Sequence, residues 1–102
     1  MDGWRISNWK LIGKNTLVGA FDLIAEPLVI KGCLLHEKGE KRWVNFPSRE
    51  FFKDGERRFI NIIEIPDSDI YWRFQHWCLV ELDRILSRLT DALEPEPDNI
   101  PF

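Results

Sequence analysis

The chain is predicted to be an α+β domain: a four- to five-stranded antiparallel sheet followed by one long C-terminal helix and a disordered acidic tail. Three observations predict this. Short runs rich in β-branched and aromatic residues, separated by turn residues, fill the chain from Trp4 to Phe46. A helical apolar stripe follows the start signal Pro66-Asp67-Ser68. Pro95 and Pro97 then forbid any helical continuation.

Residues 4–12, WRISNWKLI, read as the first strand, and Gly13-Lys14-Asn15 supplies a turn. Residues 16–24, TLVGAFDLI, read as the second, paired to the first as a hairpin. Gly19 inside it predicts a bulge or a close backbone approach. Glu26-Pro27 breaks the run, and residues 28–35, LVIKGCLL, form a third strand with Gly32 inside it. Residues 37–40, EKGE, make a hairpin turn in which Gly39 can take positive φ. Arg42 to Phe46 is the fourth strand, ended by Pro47, which has no N–H to give a ladder. Ser48 to Arg57 reads as an exposed loop turning at Asp54-Gly55, and residues 58–65 as a fifth strand.

The helix should start at an Asp67 or Ser68 cap and run to about Leu93. Ile70, Phe74, Trp77, Cys78, Leu82, Ile85, Leu86, Leu89 and Leu93 share its apolar stripe. Trp72, Leu79 and Val80 lie beside that stripe. Either the sheet curls enough to cover them, or they meet a second copy in a homodimer. Residues 1–93 are thus expected to form one sheet-plus-helix unit and residues 94–102 a mobile tail.

Composition narrows the function. The chain has 102 residues, enough for a single core, with 44% hydrophobic and 30% charged residues. Five Trp and seven Phe are more than such a core needs, so a surplus is left for an interface. No apolar run reaches the length of a membrane span and no signal-peptide layout opens the chain, which predicts a cytoplasmic protein without membrane contact. Cys33 and Cys78 are expected as free, buried thiols. They could join His36 and His76 as four zinc ligands only if strand and helix geometry aimed them together. Their spacings place each pair on opposite faces instead, so no metal is assigned. With two His, one Tyr and no nucleophile, phosphate-loop or paired-carboxylate motif, the chain predicts neither catalysis nor a cofactor.

The net charge of −3 hides an asymmetry. The last twelve residues hold Asp91, Glu94, Glu96 and Asp98 and no cation, leaving residues 1–90 at +1. Within that body, residues 42–59 gather Arg42, Arg49, Lys53, Arg57 and Arg58 with Trp43, Phe46, Phe51, Phe52 and Phe59. Glu50, Asp54 and Glu56 leave the stretch positive. Cations that follow phosphates, interleaved with rings that stack on bases, are what a single-stranded nucleic-acid groove requires. The candidate contacts are Lys41, Arg42, Trp43, Arg49, Phe51, Phe52, Lys53, Arg57 and Arg58. The structural alternative is that the rings are core and the cations solvate a turn. Phe51 and Phe52 are adjacent, so on extended chain one of them must face away from any core.

Two resemblances sharpen the expectation. The ending Asp98-Asn99-Ile100-Pro101-Phe102 resembles the acidic tip of bacterial single-stranded-DNA-binding protein (SSB), with Asn99 where that family usually has an acid. A terminal Phe offers a ring for a hydrophobic pocket and a carboxylate for a basic clamp, and preceding acids steer it. The resemblance implies that Asp98, Ile100, Pro101 and Phe102 bind host proteins that recognise the SSB tip. Residues 30–58, with Trp43-Val44-Asn45-Phe46-Pro47-Ser48-Arg49 and then Asp54-Gly55-Glu56-Arg57, resemble the stage V sporulation protein G (SpoVG) family. That implies a small sheet-plus-helix dimer that binds nucleic acid. The expected function is therefore a sequence-tolerant binder of single-stranded DNA, or of RNA, from a phage or mobile element. It would act as a homodimer in replication or recombination. The alternatives are a SpoVG-like transcriptional regulator and a decoy that uses only its tail.

Overall fold

The structure, a computed structural model, describes residues 3–93. The tip residues and the whole segment 94–102 lie outside the described residues. In chain order the elements are β1 (Trp4–Lys14), β2 (Leu17–Ala25), β3 (Leu28–Lys38), β4 (Lys41–Asn45), β5 (Ser48–Lys53), β6 (Glu56–Asn61) and α1 (Ser68–Leu93). The α+β class holds: β1-β2-β3-β4 form an antiparallel meander, and α1 packs on it. β5 and β6 form a separate two-stranded sheet.

That second sheet corrects the sequence reading, in which Ser48 to Arg57 is a loop and residues 58–65 a strand. Asp54 and Gly55 both adopt left-handed φ, 54° and 79°. This is the two-residue hairpin turn whose twist matches that of its flanking strands. Pairing then runs outward from Lys53↔Glu56 to Ser48↔Asn61 and ends there. A polar, charged strand lacks the alternating apolar signal by which buried strands are recognised, and so reads as a loop.

The meander is strongly bulged. Register shifts fall between Ser7 and Lys10 and between Leu11 and Lys14 on β1, and at Gly19 and Phe21/Leu23 on β2. Asn8 at φ 55° and Gly32 at φ 83° provide left-handed residues at two of them. Asp22 ties these two together: it accepts from Asn8 Nδ2 at 2.8 Å and from the Gly32 N–H at 3.4 Å. Each bulge bends its strand and adds twist, so the sheet curves around the helix. Gly19 is a close approach. A Cβ there would lie 2.5 Å from the Trp9 ring and 2.6 Å from the Lys10 carbonyl oxygen.

The core lies between sheet and helix. Phe21 and Leu23 of β2, Cys33 and Leu35 of β3 and Val44 of β4 meet Phe74, Cys78 and Leu82 of α1, all fully buried. Register aligns them: Phe21 faces Cys33 and Leu35 faces Val44. Each fully buried Phe or Leu contributes roughly 1.5–3 kcal/mol. Trp4 closes one side edge-on to Phe74 and Trp77, and Phe46 stacks on Phe74 at 4.9 Å.

Asp67 caps the helix, accepting the Ile70 N–H at 3.0 Å through its carboxylate and the Tyr71 N–H at 2.9 Å through its carbonyl. Phe74, Cys78 and Leu82 are buried as the stripe predicts, and Leu79 packs against the core. Ile70 departs from it: it lies in the first turn, beyond the sheet's cover, and is exposed. The curvature leaves Trp72 67% exposed, so the sheet does not cover the whole apolar face.

Two contacts from α1 secure the sheet's β4 edge. The buried Gln75 amide accepts the Val44 N–H at 2.8 Å and donates to the Val44 carbonyl at 2.7 Å, as a neighbouring strand would. Arg42 donates two hydrogen bonds to the Asp83 carboxylate, at 2.6 and 3.1 Å. This pairing raises the Arg42 pKa and lowers that of Asp83.

Candidate nucleic-acid interface

The candidate residues fall in three places. Arg49, Phe51, Phe52, Lys53, Arg57 and Arg58 are on the β5–β6 ribbon. Lys41 is exposed where β4 begins. Arg42 and Trp43 follow it on β4, where Arg42 is engaged by Asp83 on the helix side. Trp43 is half-buried on the opposite sheet face and stacks on His36, with ring centroids 5.4 Å apart and planes 7° apart. Thr16 Oγ1 lies within hydrogen-bond distance of His36 Nδ1, at 2.9 Å, and holds the edge of that ring.

The ribbon is a small exposed arm. Among its described residues Phe51 is half-buried and the rest of both strands is exposed. Strand alternation divides the side chains. Pairing places Ser48, Glu50 and Phe52 beside Asn61, Phe59 and Arg57 on one face. Arg49, Phe51 and Lys53 stand beside Ile60, Arg58 and Glu56 on the other.

The first face carries the exposed rings. Phe52 is 70% exposed and Phe59 60% exposed. The Arg57 guanidinium sits 5.5 Å from the Phe59 ring centre, and its Nε lies 3.7 Å from Glu50 Oε1. Both are exposed contacts of small energy that a phosphate can replace. The second face holds three cations, Arg49, Lys53 and Arg58, against Glu56, which pairs with Arg58 at 3.1 Å. Rings thus concentrate on one side of the arm and cations on the other, with Arg57 among the rings. This division was hidden in the sequence, because it depends on the register that the Asp54-Gly55 turn sets.

The ring-bearing face continues into a concavity of about 620 Å³ at the root of the arm. Ser48, Phe59 and Asn61 form its ribbon wall, Asn45 and His36 its sheet wall, and the 63–66 linker closes it toward Tyr71. None of its polar lining residues is among the nucleic-acid contacts expected from the sequence. Single Asn and Ser residues on edges carry no periodic signal, and only folding brings Asn45 near Asn61.

Both cysteines belong to the core. Burial pushes the thiols of Cys33 and Cys78 up to about 12, so both stay protonated and poorly nucleophilic at neutral pH. Cys33 and Cys78 lie in the core, His36 on the opposite sheet face and His76 on the exposed helix surface, so the possible zinc ligands are dispersed. Among the described residues no helix is long and apolar enough to cross a membrane. Compared with protein families, with curated proteins and with solved structures, the chain matches none.

Proposed function

We propose that this protein is a single-stranded DNA-binding protein, largely sequence-tolerant, that holds the strand on the β5–β6 ribbon. The observation that carries the reading is the exposure of Phe52 and Phe59 together on one ribbon face, with Arg57 paired across from Phe52 and two residues before Phe59. Bases stack on the two rings, while Arg57 and the longer cations of the other face, Arg49, Lys53 and Arg58, reach the phosphates. The protein works in the cytoplasm as a homodimer, for which exposed Trp72 and Val80 offer an apolar helix surface. It acts in replication or recombination and recruits host proteins through Asp98, Ile100, Pro101 and Phe102. Support for the tip comes from its sequence pattern.

Anisotropy titrations with single-stranded DNA, duplex DNA and RNA test this reading. Phe52→Ala and Phe59→Ala should each weaken single-strand binding by roughly 1–3 kcal/mol. The melting temperature should stay unchanged, because both rings are mostly exposed. Replacing Arg57 and Arg58 with Ala should flatten the dependence of affinity on salt. Normal binding by folded Phe52→Ala and Phe59→Ala proteins would exclude the ribbon.

A second reading, a SpoVG-like regulator, has one feature in its favour: a two-stranded ribbon is a shape that the major groove of a duplex admits. Preference for a particular duplex or RNA over single strands in the same titrations would favour it. For the tip, one extra residue after Phe102 keeps the ring and charge but moves the terminal carboxylate. That extended protein should lose binding to proteins that recognise the SSB tip, in a pull-down with the unextended chain as reference.

A further inference from the structure

The ribbon face that bears Phe52, Arg57 and Phe59 runs without interruption into the concavity at its root. Phe59 belongs to both: it is one of the two exposed rings of the arm and a wall of the cavity. Ser48 and Asn61, a cross-strand pair on the same face, form the next step inward. A strand stacked along the arm therefore arrives at the cavity mouth.

We propose that this cavity is a nucleobase pocket, taking one unstacked base of the strand that the ribbon carries. The proposal rests on the ribbon reading and adds to it a position with base preference. Size permits it: about 620 Å³ falls within the roughly 300–1,000 Å³ typical of small-molecule sites. The walls suit a flat, uncharged, hydrogen-bonding ring. Phe59, Ile63 and Leu34 give apolar surface, while Asn45 of the sheet wall and Asn61 of the ribbon wall add amide residues to the lining.

Each amide offers a carbonyl acceptor and an NH2 donor, the complement of a base edge. Charge selects the part of the nucleotide that enters. Among the described residues lining the cavity, Glu64 is the one acid and there is no Lys or Arg. Glu64 also accepts a hydrogen bond from Asn61 Nδ2 at 3.5 Å, which places its carboxylate beside the amide. A phosphate would be repelled there and attracted to Arg57 outside, so the backbone stays on the arm and the base turns inward. Stacking on Phe52 and Phe59 tolerates any base, whereas paired amides in a cavity do not.

The test measures binding of the full chain to dA, dC, dG and dT oligomers by fluorescence anisotropy. Wild type should show a spread of at least about 5-fold among the four, the lower end of a one-base contribution. Asn45→Ala with Asn61→Ala should collapse the spread while leaving binding in place. Ile63→Trp, which fills the cavity, should do the same. Phe52→Ala should instead weaken all four oligomers together. Equal binding of the four by wild type, or a spread that survives the double Asn variant, overturns the pocket and leaves the ribbon reading standing. If no oligomer binds, the ribbon reading fails, and free nucleosides then decide the pocket by NMR. Shifts of the Asn45 and Asn61 side-chain amides support it, and their absence overturns it. The double Asn variant removes hydrogen-bonding groups outside the core, so it stays folded even if Ile63→Trp does not.

Discussion

Replacing Gln75 with Leu should be among the most damaging single changes in this chain, although no charge is lost and side-chain volume is nearly kept. Gln75 is buried, and its amide satisfies both outward-facing backbone groups of Val44, at 2.8 and 2.7 Å. β4 is the last strand of the meander, so no neighbouring strand can take over these groups. Leucine leaves an N–H and a C=O buried without partners, each at a cost of about 1–3 kcal/mol. The greater apolarity of Leu recovers about 1 kcal/mol. The net expectation is a loss of roughly 1–5 kcal/mol, and the midpoint of about 3 kcal/mol lowers the melting temperature of a domain this size by roughly 12–24 °C.

Thermal unfolding followed by circular dichroism measures the loss, and urea unfolding checks that the denaturant slope is unchanged. Gln75→Glu supplies a signed control. A carboxylate can accept the Val44 N–H, but its other oxygen faces the Val44 carbonyl unless it is protonated. Its folded pKa is therefore raised above the unfolded value near 4.3. Its relative stability is full below that value and is lost as pH rises through the folded pKa. A Gln75→Leu protein that melts within about 3 °C of wild type would refute the idea that this amide closes the sheet edge.

Two further changes probe other parts of the fold. Gly19→Ala should destabilise by roughly 1–3 kcal/mol in the same melts, because its Cβ meets the Lys10 carbonyl at 2.6 Å and the backbone must move. Asp83→Asn should cost under about 1 kcal/mol at pH 7, since the Arg42 pair is partly exposed. Asp83 has a depressed folded pKa, so its contribution is present above the unfolded carboxylate value near 3.9. It is lost as pH falls through the folded pKa, and wild type and Asp83→Asn should therefore converge in melting temperature at pH values below it.

Much of the architecture was legible because it rests on local rules. The turn at Gly39, the break at Glu26-Pro27 and the Asp67 cap follow from backbone geometry that a few neighbouring residues impose. The helix from Ser68 to Leu93 follows from apolar spacing, and so does burial of Phe74, Cys78 and Leu82. The sequence also placed rings and cations together in residues 42–59.

Which of those rings face outward was decided only by tertiary structure. Phe46 and Phe59 belong to one stretch of rings and cations, and composition does not separate them. Phe46 packs on Phe74 because the β4 edge lies over the helix, while Phe59 stands on an arm that the helix does not reach. Arg42 and Arg57 are likewise the same residue type in one charged stretch. Arg42 is engaged because Asp83, far away in sequence, lands beside it, whereas Arg57 meets its ribbon neighbours Glu50 and Phe59. Local sequence determines strands, turns and caps because their energies are local. The faces they present depend on register and on contacts between distant residues, which are fixed only when the sheet closes on the helix.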